Sequence, residues 1–174
     1  MTRRTWLWIL GLSAFALFIV LGIIDRTMSD TAGPGIVGFE LAGSEDRANE
    51  ILADWGSDGH DAALASLWID FPYLVLYGAF YALAVAALRD SAVRRGWTRL
   101  ASIGSTVIAF PIAAAIADAL ENVGLLLALG GHGGNAAPLL ATVFAITKFI
   151  LIFLTLAYFL AFLARLITAR ASTA

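Results

Sequence analysis

Four runs of apolar residues, at about 6–25, 64–88, 100–129 and 138–165, dictate most of what this chain can become. A helix rises ~1.5 Å per residue, so roughly 20 apolar residues cross the hydrocarbon core of a bilayer. Each of the four runs reaches that length. Within lipid every backbone N–H and C=O must be satisfied inside the protein, which leaves the helix as the conformation open to such runs. Composition agrees. Of the 174 residues, 60% are hydrophobic and 14% are charged, against roughly 25% charged in soluble domains. Mean hydropathy is +0.86. The expected fold is an all-α integral membrane protein: a single membrane domain over 1–174, built as an antiparallel four-transmembrane-helix bundle with a short amphipathic helix in its first outer loop. The chain contains no cysteine, which excludes disulfides, thiolate metal sites and thiol redox chemistry.

The first run follows a basic start, Arg3 and Arg4, and carries Trp6 and Trp8 where an aromatic belt belongs. A secretory signal has a similar outline, but this run is long for a signal core and no small-x-small cleavage pattern follows it, so a retained helix is expected. Asp25 and Arg26 close it, with Asp25 read as a solvated span end paired with Arg26.

Residues 26–63 form the expected outer acidic loop. From Asp25 onward it gathers nine acids (Asp25, Asp30, Glu40, Glu45, Asp46, Glu50, Asp54, Asp58, Asp61) against Arg26 and Arg47. Gly33, Pro34 and Gly35 make a turn. Ser44 offers an N-cap, with Glu45 and Asp46 in the first turn, where the helix dipole favours anions. Ala48, Ile51, Leu52 and Trp55 recur at helical spacing as one apolar face, and Gly56 stops the helix. Such a helix lies on the outer membrane surface or caps the bundle.

Eight arginines lie at the N-terminus, between the second and third runs (89–99) and at the C-terminal end, before the short tail ARASTA. The positive-inside rule places these on the cytoplasmic side, and the acidic loop and the Gly130–Asn135 turn on the other. Both termini are then cytoplasmic. A bacterial inner membrane is the expected location, with membrane lipids as neighbours. Pro111 is expected to kink the long third run.

Within this frame a few residues are out of place. Asp118, Glu121 and Asn122 sit inside the third run at i, i+3 and i+4, hence on one helical face. Asp70 and Lys148 interrupt the second and fourth runs. Tyr73, Tyr77 and Tyr81 continue the face of Asp70. Counting rise from the outer ends puts Asp70 roughly 9 Å deep, Glu121 roughly 12 Å, Lys148 roughly 15 Å and Asp118 roughly 16 Å. Ionisable groups at such depth are costly unless paired, neutralised or wetted. The economical arrangement turns them inward to a common polar chamber, lined by Asp70, Tyr73, Tyr77, Asp118, Glu121, Asn122 and Lys148 and opening toward the acidic loop. Lys148 is expected to pair with Asp118 or Glu121. Asn122 can donate to a carboxylate and accept from the lysine. Three carboxylates against one ammonium leave an excess of negative charge, so either carboxyls carry protons or a cation completes the site.

The expected function is binding or transport of a small, cationic or lipid-like ligand admitted from the outer side, with proton coupling open. Two alternatives stand beside it. One is a small membrane enzyme using a carboxyl acid/base pair on a lipophilic substrate, with Lys148 as electrostatic stabiliser. The other is a charge cluster that only fixes which helices pack together. The tyrosine stripe alone reads better as packing, and His132 as a turn residue. His60 lies on the same side, but one such pair makes no metal site, and no metal or cofactor is expected. There is no phosphate-binding glycine loop, zinc-protease motif or nucleophile elbow. Nucleic acid is not expected as a partner, because topology already accounts for the arginines. A homodimer is possible, since four helices are a small frame for transport. In architecture alone the layout is similar to compact four-span sterol-isomerase and amine-binding proteins, which assigns no family.

Overall fold

A computed structural model describes residues 1–29 and 34–171, without the side chains of 170 and 171. Asp30, Gly33 and the end of the C-terminal tail lie outside the described residues, as does the side chain of Arg170. The described chain is all-helical: α1 (Arg3–Ser29), α2 (Ile36–Glu40), α3 (Glu45–Arg94), α4 (Thr98–Val107), α5 (Phe110–Leu129) and α6 (Ala136–Ala171). Four helical stretches are long and apolar enough to cross a membrane: Arg3–Ser29, Glu45–Arg94, Thr98–Leu129 and Ala136–Ala169.

Local chemistry explains the boundaries. Ser44 caps α3, its hydroxyl accepting from the Arg47 N–H at 3.3 Å. Gly56 stops the first helical segment of α3, as expected, and turns the chain into the second. Its backbone lies at φ 61°, ψ −162°, a region essentially reserved for glycine, and the helix resumes at once through the second apolar run. Residues 57–63 are therefore helical, not loop. Between α4 and α5 the helix is interrupted just before Pro111, which occupies the first turn of α5. There its missing N–H breaks no helical hydrogen bond. The loop between α3 and α4 is short, because helix continues to Arg94 and restarts at Thr98.

The acidic segment differs most from expectation. It folds back as the five-residue helix α2, and the Asp25 carboxylate turns to it, accepting the Ile36 N–H at 2.6 Å. A chain reversal leaves unpaired N–H groups that need an acceptor, and Asp25 supplies one. The first segment of α3 caps the helix ends. Ile51 and Trp55 are buried with Phe39 of α2 and with Leu125, Leu129, Ala137 and Ala141 of α5 and α6. Side chain–backbone hydrogen bonds hold this cap: Trp55 Nε1 donates to the Pro34 carbonyl at 2.7 Å, Thr142 Oγ1 to the Glu40 carbonyl at 2.8 Å, and the Gly43 N–H to Thr142 Oγ1 at 3.0 Å.

Neighbouring faces are joined unevenly. α3 packs on α5, and α5 on α6. At the α5–α6 contact a Cβ on Gly124 would stand 3.0 Å from the Ala137 carbonyl oxygen and 3.2 Å from Ala141 Cβ, so any side chain there would require α6 to give way. α1 has its substantial interface with α3 alone, supported at one end by an Arg3–Asp90 ion pair of 2.6 Å. The assembly is thus left open between α1 and α6.

Candidate functional site

The face of α5 carrying Asp118, Glu121 and Asn122 is turned fully inward, and all three are buried. Lys148, the single lysine of the chain, reaches them from α6. Its Nζ donates to Asp118 Oδ1 at 3.0 Å and to Glu121 Oε1 at 2.9 Å. It pairs with both acids, where sequence alone left the choice open. From α3, the Tyr77 hydroxyl donates to Asp118 Oδ2 at 2.9 Å, so both oxygens of Asp118 are satisfied. Asn122 Nδ2 donates to Asp70 Oδ2 at 2.7 Å. Its expected bond from the lysine is absent among the described residues, because the ammonium is engaged by carboxylates. Tyr73 stands apart from this network, its ring 5.2 Å from that of Tyr77 and tilted by 54°.

The residue that sequence reasoning missed is Glu40. It arrives from α2, is 8% exposed, and its Oε2 lies 3.6 Å from Lys148 Nζ. A faint signal was present: Glu40 is a lone acid in the apolar pentapeptide of α2, unlike the acids at 45–61. Only the fold of the cap brings it over the lysine.

Three carboxyl groups therefore surround one ammonium. Glu121 Oε2 lies 2.8 Å from Nζ as an ion-pair contact, while the hydrogen bond from the ammonium goes to Oε1. Glu121 Oε2 and Glu40 Oε2 are both buried without a hydrogen-bond donor. Two acceptors facing the same point lack one proton, and a protonated carboxyl at either position would supply it.

Burial pushes the Glu40 carboxyl above the ordinary carboxylate range, against the pull of the Lys148 ammonium. The neutral form of Glu40 is thus favoured by folding. Its contribution to stability is full below the unfolded carboxylate value of 4.5 and is lost as pH rises through the higher folded value. Thermal stability in micelles is expected to fall as pH rises from the unfolded value through the folded one, and to level off above it. Glu40→Gln, which carries a permanent donor, should flatten this part of the profile and melt higher near neutral pH. An unchanged profile would show that Glu40 does not carry the missing proton.

Beside the cluster lies a cavity of about 400 Å³. Asp70, Asp118, Asn122, Lys148 and Glu40 form its polar end, and Phe18, Leu21, Phe149 and Ile152 its apolar walls. Ile36 and Val37 of α2 also line it, so the acidic segment contributes to its wall. Glu121 lies behind the lysine, fully buried. Ser66, also buried, adds a hydroxyl to the lining.

Where metal chemistry is concerned, the ammonium occupies the point at which a cation would meet these carboxylates, and among the described residues no group of three or more His, Asp or Glu is placed to hold an ion. His60 Nε2 lies 3.3 Å from the Leu129 carbonyl oxygen. His132 sits in the glycine turn, where its N–H closes onto the Leu127 carbonyl at 2.8 Å. No family model, no curated protein and no solved structure matches this chain.

Proposed function

We propose that this chain is a multi-pass protein of a bacterial inner membrane, its four long helices crossing in antiparallel order with both termini cytoplasmic, and that its polar chamber binds a small ligand with a cationic group. The sidedness rests on the arginines gathered at one end and the acids at the other.

One observation carries the binding reading. Of the acids lining the cavity, Asp118 has both oxygens hydrogen-bonded. Among the described residues Asp70 has Oδ2 engaged, by Asn122, and no partner on its other oxygen, and it lines a space large enough for a small molecule. A carboxylate with a free oxygen, flanked by the Tyr73 and Tyr77 rings, matches an ammonium head, which gains both charge attraction and contact with aromatic faces.

Tetramethylammonium tests this directly. Protein in nanodiscs is expected to bind it in calorimetric titration, and Asp70→Asn should weaken binding by about tenfold or more through loss of the charge. The amide oxygen at position 70 can still accept from Asn122, so the melting temperature should hold. Equal binding by both proteins would overturn the reading.

A further inference from the structure

A second cavity, of about 500 Å³, lies between α1 and α3. Phe18, Tyr73, Tyr77 and Tyr81 line both this space and the polar chamber, so the two adjoin along these side chains. The tyrosine stripe forms the floor of one furrow. On one side the Phe18 ring meets Tyr73 at 6.4 Å, and on the other the Phe159 ring of α6 meets Tyr81 at 6.0 Å. Of the two α1 glycines in these linings, Gly11 lies close against Phe80, while Gly22 has nothing within 4 Å of where a Cβ would stand. From Phe18 to Leu7 the furrow follows α1 for ~16 Å of helical rise, about half of the ~30 Å hydrocarbon thickness and so comparable with one extended chain of a lipid. Its walls there are apolar. Its end is the half-satisfied Asp70 beneath α2.

We propose that the furrow holds the hydrocarbon chain of a single-chain cationic amphiphile, which slides in sideways between α1 and α6 and seats its head against Asp70. This rests on the reading of the chamber as a cation site and adds the chain and the route. The charge at Asp70 selects the cationic head over the zwitterionic heads of ordinary phospholipids. The α2 roof, tied down by Asp25, Trp55 and Thr142, stands over the chamber and leaves the lateral gap as the way in.

The probe is hexadecyltrimethylammonium with a diazirine at the chain end, added to wild-type protein in phosphatidylcholine nanodiscs. Illumination should label 7–12 of α1 or Phe80, and unlabelled hexadecyltrimethylammonium should compete. Label on α2 or on 45–55 would mean that the chain points out through the roof. Diffuse label without competition would mean that bulk lipid fills the furrow, and exclusion of label by a second copy of the chain would mean that the furrow is a dimer face. Each of these overturns the proposal. A second arm uses Gly11→Trp, since a Cβ there already meets Phe80 at 2.9 Å and the indole must fill the furrow. Hexadecyltrimethylammonium should then bind at least about tenfold more weakly, with tetramethylammonium unaffected. Should this variant fail to fold, the labelling of the wild type still decides. If tetramethylammonium binding proves independent of Asp70, the cation reading itself has failed; if it depends on Asp70 while the label lands elsewhere, only the chain and its route are wrong.

Discussion

Lys148→Met is expected to destabilise the protein by roughly 3–5 kcal/mol, because it removes one partner of a buried ion cluster and leaves the others uncompensated. In a chain of this size that corresponds to a fall in melting temperature on the order of 10 °C. The ammonium holds Asp118 and Glu121 at hydrogen-bonding distance and Glu40 at 3.6 Å, so its loss is felt by α2, α5 and α6 together. Methionine fills much the same space, which separates the charge from the volume. The quadruple variant Lys148→Met, Glu40→Gln, Asp118→Asn, Glu121→Gln should recover much of the loss, since no carboxyl of the cluster is then left without its counter-charge. Thermal unfolding in micelles measures both. A Lys148→Met protein as stable as wild type would show that the carboxyls hold protons and need no counter-charge.

The second large effect is expected at Gly124, which carries no charge. Gly124→Leu must push α6 away from α5, since even a Cβ there would stand 3.0 Å from the Ala137 carbonyl oxygen. Overpacking of this kind costs typically 1–3 kcal/mol and occasionally more. Here it should also separate Lys148 from Asp118 and Glu121, which lie on the same two helices. Thermal stability and tetramethylammonium binding are therefore expected to fall together, with Gly124→Ala intermediate. Gly22→Ala is the control for stability: nothing lies within 4 Å of a Cβ at that position, and it should leave the melting temperature unchanged. Loss of stability with binding intact would show that the chamber does not depend on the α5–α6 contact.

Legibility in the sequence differed from residue to residue. Asp118, Glu121 and Asn122 could be placed on one inward face because helical periodicity requires it and lipid forbids the alternative. Ser44, Gly56 and Pro111 announced a cap, a break and an interruption through local backbone chemistry, and each stands where its residue type allows it. Asp25 was misjudged. It is a sensible solvated span end beside Arg26, yet it serves α2, which no periodicity revealed because five residues are too few to show one. Gly124 gave no warning, as a glycine in an apolar run is equally at home facing lipid.

By itself the sequence determined the helical class, the four stretches long enough to cross a membrane, the uneven charge along the chain, and which polar groups needed to find partners inside the protein. These follow from backbone hydrogen bonding and from the cost of charge in an apolar medium, and both act within a single segment. The tertiary structure decided the partners themselves: that Lys148 meets two acids of α5 and one of α2, that Asn122 serves Asp70, and that α1 stands off from α6 over a furrow floored by tyrosine. Periodicity says which face a side chain occupies. It does not say which other face that one will meet, because a contact such as Gly43 to Thr142, across 99 positions, depends on how every helix between them packs.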